Sequence, residues 1–114
     1  MISPAIVSGG QKMAKYLFVY YGGMMARTPE EQQKSMDAWT AWFGKQSKVI
    51  VDIGAPTKPG KVVGKNGVRA IGANPITGYT VVEAGDLDVA VSIAKSNPSI
   101  PDGGRIAIYE FMPM

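Results

Sequence analysis

An α+β domain is predicted, with two helices on one face of a sheet of four main antiparallel strands and a β-hairpin besides. Three features predict it. Residues 15–21 (KYLFVYY) are rich in aromatic and β-branched side chains and run into Gly22 and Gly23, as a strand does before a turn. Two amphipathic stretches open at helix-capping residues, Thr28 and Asp86. Further strand-like runs fall at residues 79–84 and 105–112.

A chain of 114 residues is about one domain's worth. With 46% hydrophobic and 18% charged residues it belongs among globular chains, not disordered ones. Residues 13–114 are expected to form that domain, and residues 1–12 a flexible extension. The first residues carry no Lys or Arg, and their apolar stretch stops at Ser8, Gly9 and Gly10, unlike a secretory signal. No run approaches the ~20 apolar residues of a membrane span. With no cysteine either, a cytoplasmic setting is expected.

The strand at 15–21 carries Tyr16, Phe18 and Tyr20 on one face and Leu17, Val19 and Tyr21 on the other. Both faces are apolar, so it is expected at the sheet centre. In the first helix Thr28 caps, Pro29 takes the first position and Glu31 completes a capping box. Met36, Trp39 and Phe43 form its apolar stripe, with Trp42 at the margin, and the helix should reach about Gln46. A short strand at 49–51 is broken by Gly54 and Pro56. Asn66 and Gly67 sit between β-branched runs and predict a type I′ hairpin. Residues 73–78 read as a loop and 79–84 as a strand. Asp86 then caps a short helix with Leu87, Ala90, Val91 and Ala94 on one stripe, stopped by Asn97 and Pro98. A turn at 101–104 leads to the last strand. The order β-α-β, hairpin, β-α-β is the split βαβ, ferredoxin-like plan.

The chain has neither Cys nor His, which removes thiol nucleophiles, disulfides, histidine bases and the usual zinc sites. Asp86 and Asp88 open a helix, where capping explains them, and Asp52, Glu83, Asp102 and Glu110 are scattered. No metal or cofactor is expected. Residues 60–66 have the wrong spacing for a phosphate-binding loop and lead into a hairpin. The net charge is +3, but the lysines are dispersed, so no nucleic-acid partner is expected. The Trp39, Trp42 and Phe43 cluster reads as core, not as a ligand cage. The polar set able to converge on a pocket is Tyr20, Asp52, Tyr79, Arg105 and Tyr109, with Glu83 beside them. Arg105 is expected to pair with Glu83 or with an anionic ligand.

The chain resembles the YCII-related family, in its DGPF-type branch. Residues 16–23 (YLFVYYGG) resemble that family's opening strand and following glycine. Trp39 to Phe43 sits where its helix carries an aromatic, and Gly54, Ala55 and Pro56 resemble the segment that follows. Residues 78–84 (GYTVVEA) resemble its Gly-aromatic strand, and residues 86–94 and 104–113 its last helix and strand. The similarity spans residues 15–113. It implies a ferredoxin-like domain paired as a dimeric α/β barrel. It also implies a His–Asp dyad in the cleft, and this chain has no His. The family's Asp-Gly-Pro loop is replaced by Ala73, Asn74 and Pro75. Hydrolytic or dehalogenating activity is therefore not carried over.

The leading expectation is a homodimer that binds a small molecule, an anionic one included, in a pocket between sheet and partner. Tyr20, Asp52, Tyr79, Arg105 and Tyr109 would line it. The rivals are an enzyme using Asp52 or Glu83 as base, with Tyr20, Tyr79 or Arg105 holding an oxyanion, and a structural module with no ligand. Two helices cover only one face of such a sheet. If Leu17, Val19, Ile106 and Ile108 face them, then Tyr16, Phe18, Tyr20, Val81, Tyr109 and Phe111 remain outside. With the faces reversed, the leftover set is still apolar. Dimerisation sheet to sheet is expected to cover it.

Overall fold

A computed structural model describes residues 13–23 and 28–113. The expected extension at 1–12 lies outside the described residues. The elements are β1 (Ala14–Tyr21), α1 (Pro29–Lys45), β2 (Ile50–Pro56), β3 (Lys61–Gly64), β4 (Gly67–Ala70), β5 (Ile76–Ala84), α2 (Leu87–Lys95) and β6 (Arg105–Glu110). Strands β2, β5, β1 and β6 form one sheet in that order, and every neighbouring pair is antiparallel. Strands β3 and β4 pair separately as a hairpin. The order is compatible with a ferredoxin-like plan, with β1 central as its two apolar faces require. No helix among the described residues is long and apolar enough to cross a membrane.

Register decides which residues face the helices. Phe18 lies opposite Thr80 on β5 and Ile108 on β6, and Tyr20 opposite Gly78 and Ile106. Tyr16, Phe18, Tyr20, Thr80, Val82, Ile106 and Ile108 therefore share one face. That face meets Trp42 of α1 and Ala90 and Ala94 of α2 in a single core. Tyr16 and Tyr20 of β1 thus point inward together with Ile106 and Ile108, a grouping that neither expected face assignment contained. Leu17, Val19, Tyr79, Val81, Ala107 and Tyr109 take the other face. There Val19 and Val81 are buried, while Tyr109 is 56% exposed.

Helix α1 starts as expected: Thr28 Oγ1 accepts from the Glu31 amide at 3.1 Å, and Glu31 accepts from the Thr28 amide at 3.0 Å. Its stripe is rotated from the expected one. Trp42 is the buried residue and Met36 is 64% exposed, because Ser35, Trp39, Trp42 and Gln46 are the positions that turn inward at helical spacing. The Trp42 indole donates to Ser96 Oγ at 2.9 Å, tying α1 to the end of α2. Helix α2 is capped by Asp86, which accepts from the Val89 amide at 2.9 Å. Ala90 and Ala94 are buried as expected, but Leu87 at the first turn is exposed.

Several boundaries differ from expectation, and strand β6 ends at Glu110, not at residue 112. Strand β2 runs on through Gly54, because two irregularities in its pairing with β5 absorb the extra residues. Strand β5 begins at Ile76, inside the expected loop, since the amide of Thr57 pairs with the Thr77 carbonyl at 3.0 Å. The hairpin closes at Gly64 and Gly67, so its turn residues are Lys65 and Asn66 and not Asn66 and Gly67. Gly67 keeps a positive φ of 121° in the closing pair.

Candidate functional site

The strand alternation splits the expected polar set. Tyr20 points into the helix-covered face. Tyr79 lies opposite Val19, and Asp52 opposite Val81, on the open face. There the Tyr79 hydroxyl donates to Asp52 Oδ2 at 3.4 Å, and the Gly54 amide donates to Asp52 Oδ1 at 2.8 Å. Arg105 lies opposite Tyr21, with its guanidinium 5.7 Å from the centre of that ring. Glu83 faces Lys15 at the other end of β1. Six residues of strand separate Lys15 from Tyr21, roughly 20 Å at ~3.3 Å per residue. The expected pairing of Arg105 with Glu83 therefore does not form.

A cavity of about 700 Å³ opens between α1 and the end of the sheet where β1 finishes and β5 starts. Of the five expected residues, Tyr20 lines it; Asp52, Tyr79, Arg105 and Tyr109 do not. Its walls are mostly apolar: Trp39, Phe43 and Met36 from α1, Ile53 and Pro56 from β2, Ile76 from β5. The Tyr20 and Trp39 rings meet edge to face at 5.3 Å, and Trp39 stacks obliquely on Phe43 at 5.6 Å. Helical spacing presents Trp39 and Phe43 side by side, so the aromatic cluster is both core and cavity wall. Gly78, also in the lining, lets β2 and Tyr20 pack closely, since a Cβ there would approach the Ala55 carbonyl oxygen at 3.0 Å and Tyr20 Cδ2 at 3.5 Å.

A buried chain of hydrogen bonds lies beneath the cavity. Asn97 Nδ2 donates to the Tyr20 hydroxyl at 3.4 Å, which donates to Thr80 Oγ1 at 2.7 Å. Thr80 in turn donates to the Ile53 carbonyl at 2.9 Å. Asn97 Oδ1 also accepts from the Ser99 amide at 2.9 Å. The chain joins the end of α2 to β1, β5 and β2 and fixes the Tyr20 ring. Sequence reasoning gave Asn97 only the role of stopping α2. The usable signal was Thr80, a hydroxyl set among apolar residues of a central strand, which when buried needs a partner. Ser99 also lines the cavity, and its Oγ is buried with no hydrogen-bond partner among the described residues.

Burial holds the Tyr20 phenol above the usual tyrosine value of 10.0, and its hydrogen bonds with Thr80 and Asn97 only partly offset this. Above pH 10 the unfolded chain gives up this proton while the folded one keeps it, so the unfolded state binds fewer protons and stability falls as pH rises. Melting temperatures followed from about pH 9 to about pH 11 should therefore drop more steeply in the wild type than in Tyr20→Phe. Parallel curves would show that Tyr20 contributes nothing to the alkaline loss.

No group of three or more acidic side chains able to hold a metal ion occurs among the described residues. No family model matches the chain, and no curated protein matches it.

Proposed function

We propose that this chain is a small-molecule-binding domain whose ligand occupies the cavity beside Tyr20 and Trp39. The supporting observation is that cavity: about 700 Å³, walled mostly by aromatic and aliphatic side chains, with Lys58 and Asp102 the charged residues in its lining. Sites for small molecules commonly have this size and lining. The ligand class is a compact, mainly apolar molecule that packs against the Trp39, Phe43 and Ile53 walls. The reading moves the pocket from the sheet–partner interface to the α1–sheet interface. It keeps the resemblance to YCII-related proteins, a cytoplasmic setting and a homodimer built on the open sheet face. Leu17, Tyr79 and Ala107 are only partly covered there, beside the exposed Tyr109. A reaction using Asp52 or Glu83 as base would take place on that open face and not in the cavity.

One observation favours a second reading. Arg105 holds an exposed guanidinium over Tyr21, a geometry suited to a carboxylate arriving from the partner side. A thermal-shift comparison separates the two. Benzoate, hexanoate and hexanol are the probes, and wild type, Ile53→Trp and Arg105→Ala the proteins. A ligand at ~100 times its Kd stabilises by about 2.7 kcal/mol, a shift of several degrees in a domain this size. The cavity reading expects shifts with hexanol as well as the acids, lost in Ile53→Trp and kept in Arg105→Ala. Shifts with the acids alone, lost only in Arg105→Ala, would place the ligand on the open face instead.

A further inference from the structure

We infer that the β3–β4 hairpin is a docking arm for a second copy of this chain, seated on the β2–β5 half of that copy's open sheet face. The inference rests on the homodimer reading above and adds to it which segment crosses between the copies.

The hairpin is unsupported in the single chain. All of residues 61–70 are exposed except Val62, which is half-buried. The radius of gyration is 16.8 Å, against the roughly 13 Å expected of a compact domain this long. A lone two-stranded hairpin is at best marginally stable in water. Yet this one carries Val63 opposite Val68, on one side, at 77% and 64% exposure. Exposed β-branched pairs on a projecting ribbon mark a surface that something covers.

Charge identifies the cover. From residue 53 through residue 82 the chain has four cations, Lys58, Lys61, Lys65 and Arg69, and no acid. The open sheet face presents Asp52 on β2 and Glu83 on β5, the latter opposite Lys15 of β1, around an apolar centre at Tyr79 and Val81. The arm therefore brings valines and lysines to a surface that offers apolar groups rimmed by carboxylates. A ribbon built for nucleic acid would turn its cations toward the phosphates. Here Arg69 pairs with Val62 on the side opposite Val63 and Val68, while Lys61 pairs with Ala70 on the valine side, so the side left to dock is a valine pair flanked by one lysine. A two-fold pair exchanging arms is self-complementary and closed: each copy gives one arm and receives one. The two sheets then meet each other through their β1–β6 halves.

The 114 residues contain no cysteine, so engineered thiols report cleanly. Asn66→Cys and Lys15→Cys variants, at the arm's turn and opposite Glu83 on the open face, are mixed, allowed to exchange subunits and treated with a short bis-maleimide. Sedimentation equilibrium is run in parallel on the wild type and on the Val63→Asp, Val68→Asp double variant. The arm predicts a covalent dimer that contains one of each cysteine variant. It also predicts dimer dissociation at least about tenfold easier in the double variant, with an unchanged circular dichroism spectrum. A wild type that dimerises, with no mixed crosslink and no change in the double variant, overturns the arm and leaves the homodimer standing. A wild type that stays monomeric at low micromolar concentration overturns both. Retention of duplex DNA by a monomeric wild type, lost in a Lys61→Glu, Lys65→Glu, Arg69→Glu variant, would assign the arm to a polyanion and overturn the inference as well.

Discussion

Gly54→Ala is expected to destabilise the protein by about 3 kcal/mol, combining left-handed backbone strain with a steric clash. Gly54 has φ +80°, which side-chain-bearing residues rarely adopt. A Cβ built there would overlap the backbone carbonyl oxygen of Tyr79 on the neighbouring strand. Because the obstacle is main chain in a paired strand and not a flexible side-chain end, β2 and β5 would have to part. The same residue's amide holds Asp52 Oδ1 at 2.8 Å, so the polar corner with Tyr79 would loosen too. Chemical denaturation of wild type and variant reads the loss directly. A cost under about 1 kcal/mol, the scale of an ordinary surface change, would mean that β2 does not pass Tyr79 this closely.

Trp42→Ala should cost about 3–5 kcal/mol, the range for emptying a large aromatic from a core. Trp42 is the buried residue of α1. It contacts Trp39 and Phe43 edge to face at 6.0 and 5.4 Å and donates to Ser96 at 2.9 Å. Removing it strips α1 of its anchor and leaves the cavity wall without backing. Trp42→Phe keeps most of the packing and loses only the indole donor, so it should cost far less, on the order of 1 kcal/mol. If Trp42→Ala cost no more than Trp42→Phe, α1 would not be held by this side chain.

The fold was legible because its signals are local. The capping box at Thr28 and Glu31, the cap at Asp86 and the doubly apolar β1 each fix an element from a few neighbouring residues. The site was less so, because its residues meet only through register. Tyr20 and Tyr79 look alike in sequence, yet a pairing that sets Tyr20 opposite Gly78 puts them on opposite faces. The irregularities in β2 hid the continuation of that strand, because Gly54 reads as a breaker unless the close approach of Tyr79 is known. The rotation of the α1 stripe from Met36 toward Trp42 is one helical position's error. A single sequence rarely resolves that when aromatics fill both candidate faces. Asn97 offered no pattern at all, since its partner Tyr20 lies 77 residues away.

The position of the ligand separates the cavity from the open face, and the two tryptophan indole signals in a ¹⁵N–¹H correlation spectrum report it. Trp39 lines the cavity, while Trp42 is turned away and bonded to Ser96. Titration with hexanol and with benzoate should move the Trp39 indole and the Thr80 and Ile53 amides, saturably. The Trp42 indole should move less, and the Ala107 and Tyr109 amides should stay in place. Saturable shifts confined to Ala107, Tyr109 and Arg105, or none at Trp39 with either probe, would contradict a ligand site between α1 and the sheet.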